Sequence, residues 1–375
     1  MRFVFYTHSL VSDWNHGNAH FLSGIMRELL SRGHDAIALE PKDGWSRNNL
    51  LANEGSAAIE RFAVDFPELT SVSYGDDFDH ESCLETADVV MVHEWTEPEL
   101  VARIGRVRSS GGPFTLLFHD THHRAVSSDA ISGLALNAYD AVLAFGETLR
   151  ERYLRAGWGR QVFTWHEAVD DRLFHPSPDA SKDADLIWVG NWGDEERSAE
   201  IHNFLMEPVR RLGIRGTVRG VRYPQPVLTA LRDAGIRYGG WIANAEVPAA
   251  FAAHRVTVHI PRRPYAELLP GIPTIRVFEA LASGIPLVSA PWNDSEGLFR
   301  PGQDFLFAHD GSEMARHLTD IINDPALANS LALAGLETIA ARHTCRHRVD
   351  QLFDILARSG SLHVAKQITA REAAE

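Results

Sequence analysis

Cysteine is nearly absent. Only Cys83 and Cys345 occur in 375 residues, so there is neither a disulfide framework nor a zinc-ligand spacing, and both read as quiet thiols. No apolar run approaches the roughly 20 residues that a membrane-spanning helix needs. The opening MRFVFYTHSL lacks a long apolar region and a small-residue cleavage site; it reads as a first strand rather than a signal peptide, and the expected compartment is the cytoplasm. Positive charge is in deficit, with 36 Lys and Arg against 50 Asp and Glu and a net −14. That balance argues against a broad nucleic-acid surface, and no basic amphipathic helix is present to bind a membrane. No GxGxxG follows a first strand, which argues against a dinucleotide dehydrogenase.

What is present suits two globular domains. The length exceeds one compact core, while 45% apolar and 23% charged residues are ordinary for a folded chain. Residues 1–40 read as strand, polar loop, helix and strand, a βαβ opening whose loop lies at the ligand edge of an open α/β sheet. Asp13, Asn15, His16, Gly17 and Asn18 are therefore candidates for a site, against the plainer reading of a capped helix start. Residues 41–80 are poorly periodic; GDDFD at 75–79 allows a metal loop but reads better as solvated acidic surface. ADVVMVHEW at 87–95 and PFTLLFHDTHH at 113–123 read as buried strands ending in polar clusters that hold Glu94, His119 and Asp120. His119, Asp120, His122 and His123 have the residue types of a hydrolase metal cluster, but the strands carry no matching ligand set. PSPDASKDAD at 176–185 has linker composition, and we expect domains at 1–176 and 177–345, with 346–375 a last helix and tail.

The stretch LLPGIPTIRVFEALASGIPLVSAP, 268–291, is the most informative. Pro273 suits a first helical turn, Gly284 a helix stop, and the following IPLVS a buried strand. The amides of Thr274 and Ile275 would be open donors at the positive end of a helix dipole, suited to phosphate, with Arg276 adding a cation one turn in. The alternative is an ordinary helix with solvated Arg276 and Glu279.

RVFEALASGIPLVS resembles the EAMASGxPVV signature of glycosyltransferases of the GT-B fold, near the retaining family four group and the group-one branch that includes spore-maturation-type proteins. The resemblance implies two Rossmann-like domains facing a cleft, with a C-terminal helix crossing back to the first. It implies a metal-independent transfer of sugar from a nucleotide-diphosphate sugar to a saccharide, lipid-linked or small-molecule acceptor, with no cofactor and no nucleic acid. By resemblance Glu279 holds the ribose, and Gly17 and Asn18 stand where paired glycines would be. Gly190, Asn191 and Arg197 lie where a glycine and cations cradle the diphosphate, with Asn191 in place of an arginine; Arg197 could instead pair with Glu196 or Glu200 on a helix surface. Tyr238 lies in the nucleobase loop, although an aromatic there is more often core. His119 would face the transferred sugar with Asp120 orienting its ring, and Glu94 is a second candidate. A glutamate expected eight positions before Glu279 is Gly271 here. His166, Glu167 and Ala168 also depart from the usual loop. Two rivals stand beside transfer: a nucleotide-sugar epimerase of the same fold, and a transfer-inactive nucleotide-sugar-binding protein.

Overall fold

A computed structural model describes residues 1–15 and 17–359. The chain forms two units, Met1–Glu167 with the segment from Cys345, and Ala168–Thr344. The division falls earlier than the Pro- and Asp-rich 176–185 segment, where the boundary was expected. That segment belongs to the second unit: Val169 bridges Thr344, and Pro176 lies against Gly284. Among the described residues, no helix is long and apolar enough to cross a membrane.

The first unit is built on seven parallel strands. They are β1 Arg2–Tyr6, β2 Asp35–Pro41, β3 Thr70–Tyr74, β4 Val89–His93, β5 Thr115–Asp120, β6 Ala141–Ala144 and β7 Val162–Thr164, in the order β3-β2-β1-β4-β5-β6-β7. All of β4, β5 and β6 are buried, as apolar runs covered on both faces by helices must be. The order reverses between β1 and β4, which makes their carboxyl ends the switch point where open α/β sheets bind ligands.

The 41–80 region, poorly periodic in sequence, holds helices Trp45–Glu54 and Ser56–Asp65 before β3. The second buries no residue; its short apolar stripe, Ile59 and Phe62, is only half-buried, which leaves little for a periodicity to reveal. Asp79 of GDDFD accepts from the Ser82 amide at 3.0 Å and so caps the helix His80–Glu85. The last helix, Cys345–Arg358, packs on Ala19–Ser31 within this unit. Arg348 donates to the carbonyl of His166 at 2.9 Å, Trp165 donates back to the carbonyl of Arg348 at 2.8 Å, and Arg32 pairs with Asp350 at 2.6 Å. The tail expected at the end of 346–375 lies outside the described residues, which end at 359.

The second unit repeats the plan with β8 Ala184–Val189, β9 Gly216–Arg219, β10 Ile236–Tyr238, β11 His254–His259, β12 Leu287–Ser289 and β13 Leu306–Phe307. The order is β10-β9-β8-β11-β12-β13, so its switch point lies between β8 and β11.

Candidate functional site

Both sheets gather their unusual polar groups at these switch points. In the first unit, the loop after β1 is shaped by Glu40 at the end of β2, a carboxylate only 1% exposed. It accepts from Ser9 Oγ at 3.0 Å and the Leu10 amide at 3.2 Å, while Ser46 Oγ holds the Trp14 carbonyl at 2.8 Å. Along this loop Asp13, Asn15, Gly17 and Asn18 are half-buried, and Asn15 has φ 55°. His16 lies outside the described residues. Asn18 takes the N-cap position of Ala19–Ser31 without a side-chain cap, and the Gly17 carbonyl accepts from the His20 ring at 3.2 Å.

At the end of β4, His93 Nδ1 lies 2.6 Å from Glu94 Oε2, and Thr121 Oγ1 donates to Glu94 Oε1 at 3.1 Å. Burial opposes the charge on Glu94, but the charge and hydrogen bond of His93, with His119 and His122 adding, hold its carboxyl down to about 2. His119, at the end of β5 and 2% exposed, packs its ring 4.8 Å from those of His93 and Trp165. Neither of its ring nitrogens has a hydrogen-bond partner among the described residues. Burial, with the charge of His93 adding, holds it well below the usual histidine value, so a neutral ring with one donor and one acceptor is available to a ligand.

Asp120 does not orient His119. Neighbouring residues on a strand point to opposite faces, and Asp120 instead accepts from Tyr153 at 2.7 Å and from the His122 amide at 3.1 Å. Burial and the like charge of Glu94 push it up to about 7. Its place is in the framework beneath the site.

In the second unit, the Gly190 amide donates to the Arg219 carbonyl at 2.9 Å, so it is not open to a phosphate. A Cβ on Gly220 would lie 2.2 Å from the Gly190 oxygen, and φ 149° there also favours glycine. Asn191 Oδ1 accepts from the Val221 amide at 2.9 Å. Arg197 donates to the Asn191 carbonyl at 2.6 Å and to the Ile260 carbonyl at 3.0 Å, lacing the loops after β8 and β11 across the switch point. Burial and the like charge of Arg262 bring it down to about 9, still a cation at neutral pH. Of the alternative surface partners of Arg197, Glu196 pairs with Arg262 at 3.0 Å and Glu200 with Arg263 at 3.1 Å. Tyr238, half-buried, donates to the Gly220 carbonyl at 2.8 Å and packs 5.0 Å from Tyr223.

The helix of the 268–291 stretch runs Ile275–Ala282, with Thr274 at its N-cap and Gly284 at φ 66° just after it. Pro273 precedes the cap rather than standing in the first turn. Helix geometry leaves the Ile275 and Arg276 amides without intrahelical acceptors. One turn in, Arg276 donates to Glu279 Oε2, so the cation and carboxylate expected to meet phosphate and ribose separately are paired. Glu279 is 0% exposed at its side chain and Arg276 24%, so the arginine covers the carboxylate.

The histidines at these strand ends escaped the sequence reading, apart from His119. His8 after β1, His93 ending β4 and His259 ending β11 each follow a buried apolar run, the same signal that marked His119. Glu40 gave only a carboxylate inside a strand. No group of three or more His, Cys, Asp or Glu among the described residues is arranged to hold a metal.

Comparison with known proteins adds a region and a fold. Residues 197–354 match a family described as glycosyl transferase-like. No curated protein matches the chain by sequence. The chain is similar in structure to Anabaena HepE in complex with UDP-glucose, with 14% identity, a TM-score of 0.68, and 96% of this chain and 100% of that one covered. A sucrose-phosphate synthase from Thermosynechococcus elongatus gives 14% identity, TM-score 0.66 and coverage of 96% and 100%. An alpha-glucosyltransferase in complex with UDP and DNA gives 10%, 0.67, 95% and 99%. The fold is GT-B. The family match lies in the second half of the chain and covers less than half of its length.

The neutral histidines make a pH signature for this fold. A histidine depressed in the folded state, such as His8 at about 4 and His259 at about 3, contributes stability that is whole above 6.5 and is withdrawn as pH falls toward the folded value. His119 acts in the same sense, and Asp120, raised to about 7, acts in the opposite one. Each group changes stability by at most about 1.4 kcal/mol per pH unit. With these three histidines, and His80 and His254 depressed in the same sense, set against Asp120, melting temperature should fall between pH 6.5 and 5. A flat profile in thermal melts would show that these rings are solvated.

Proposed function

We propose that the protein transfers a sugar from a nucleoside-diphosphate sugar to a saccharide, lipid-linked or small-molecule acceptor, without a metal and with retention at the anomeric carbon. One observation carries the reading. The glycosyl transferase-like match spans the helix Ile275–Ala282, whose open amides stand beside the switch point of a Rossmann-like sheet. Such a helix start offers a diphosphate partial positive charge and N–H donors, and a leaving diphosphate gains charge as the glycosidic bond breaks. Neighbours of the same fold were solved with UDP and UDP-glucose, which supports uridine nucleotides as the first donors to test. The second unit is assigned the nucleotide, with Arg276 and Glu279 toward phosphate and ribose and Arg197 holding the loops in shape. The first is assigned the chemistry of the transferred sugar, through His119 and the His93–Glu94 pair. DNA is not the acceptor in this reading, given the net charge of −14, although one neighbour binds it.

The test is a thermal-shift screen against UDP- and GDP-sugars, then release of the nucleoside diphosphate. A selective donor at 100 times its dissociation constant should add about 2.7 kcal/mol of stability. Release should survive EDTA, and loss of activity on chelation would remove the metal-free mechanism. If no sugar nucleotide raises the melting point and none is turned over, the reading fails. The Gly190 amide and the Arg197 guanidinium are engaged within the protein, which favours, as a second reading, a protein that binds sugar nucleotides without transferring them. Tight donor binding with no diphosphate released would select it.

A further inference from the structure

His259 ends β11 at 3% exposure, between two hydroxyls. Ser289 Oγ lies 2.8 Å from its Nδ1 and Thr274 Oγ1 lies 3.0 Å from its Nε2. Ser289 donates its single proton to the Ala290 carbonyl at 2.8 Å, so toward the ring it can only accept, and this assigns the ring proton to Nδ1. Burial, with the charge of Arg197 adding, holds the imidazole at about 3, so at neutral pH Nε2 is a bare lone pair. Thr274 must then donate to it.

The consequence falls on the helix start. Thr274 is the N-cap of Ile275–Ala282 yet makes no side-chain cap bond. A threonine there ordinarily accepts from the second or third helical amide. The third, Val277, bonds to the Thr274 carbonyl at 3.1 Å, and the second, Arg276, is the amide that an ordinary cap would consume.

We propose that His259 is a positioning residue that draws the Thr274 hydroxyl away from its own helix and so keeps the Arg276 amide open for the phosphate of the nucleotide. The inference rests on the functional reading above. It adds a residue on a neighbouring strand that sets the competence of the phosphate site without touching the ligand.

The experiment is calorimetric titration of UDP and GDP into the full-length protein and three variants. Binding of neither to the wild type would overturn the functional reading and this inference with it. With binding established, His259→Ala frees Thr274 to cap the helix, and affinity should fall about tenfold, the scale of one hydrogen bond to a charged group. Adding Thr274→Val removes the competing hydroxyl and should restore affinity to within about twofold, a rescue that general damage to the fold would not give. Lack of rescue overturns the inference and leaves the functional reading standing. Thr274→Val alone is the control for direct contact: a tenfold loss would make the hydroxyl itself a ligand contact and overturn the inference. If His259→Ala does not fold, His259→Phe takes its place in both comparisons, because it removes the Nε2 acceptor while filling the same space.

Discussion

Replacing His119 with phenylalanine should make the protein more stable and nearly inactive. The ring is 2% exposed, and neither nitrogen has a partner among the described residues. An unsatisfied buried polar group costs about 1–3 kcal/mol, and phenylalanine removes it while keeping an aromatic ring near Trp165 and His93. For a chain of this size a gain of 1 kcal/mol raises melting temperature by about 2–4 °C or less. Activity should move the other way. If the ring bonds to the transferred sugar as charge develops, its loss should lower kcat by roughly 10²–10³-fold. UDP affinity should stay within about threefold, because the nucleotide is assigned to the second unit. The two readouts together are diagnostic: a protein that melts higher and transfers slowly has been holding strain for function. A variant that melts lower would mean that His119 is an ordinary core histidine whose partners form within the fold. A variant of full activity would remove it from the reaction.

The sequence made the architecture legible because the architecture rests on patterns of short range. Apolar runs ending in polar clusters marked β4 and β5, a glycine after a helical stretch marked the end of Ile275–Ala282, and linear order then placed the loops at one sheet edge. Partner choice was not legible in the same way. Arg197 reads in sequence as a cation for the diphosphate, or else as a surface partner of Glu196 or Glu200, whereas its carbonyl acceptor Ile260 lies 63 residues on. Asp120 looked like an orienting group for the adjacent His119, whereas its partner is Tyr153, 33 residues on. In each case the spacing revealed which edge a residue occupies, and the closure of the sheet decided which atom it meets. The helices Trp45–Glu54 and Ser56–Asp65 were hidden for the opposite reason. They bury so little that no periodic stripe was required of them.

Glu279→Gln should separate two roles that the structure leaves joined in one ion pair. The carboxylate is fully buried and takes the Arg276 guanidinium, so it could bind ribose directly once the arginine turns toward phosphate, or it could serve only to aim the arginine. Glutamine keeps the volume and one acceptor but drops the charge. Losing charge-assisted hydrogen bonds should weaken UDP binding by about 2 kcal/mol, close to thirtyfold. The discriminating measurement repeats the titration with 2′-deoxy-UDP. If Glu279 accepts from the ribose, the wild type prefers UDP over its deoxy analogue and the glutamine variant loses most of that preference, because the interaction removed is the same one in both comparisons. If Glu279 only aims Arg276, the variant weakens both ligands equally and the preference persists. Arg276→Lys then becomes the informative partner, since lysine keeps the charge but cannot reproduce the planar fork that spans carboxylate and phosphate. Unchanged affinity in both variants would move the nucleotide away from the Ile275–Ala282 helix altogether.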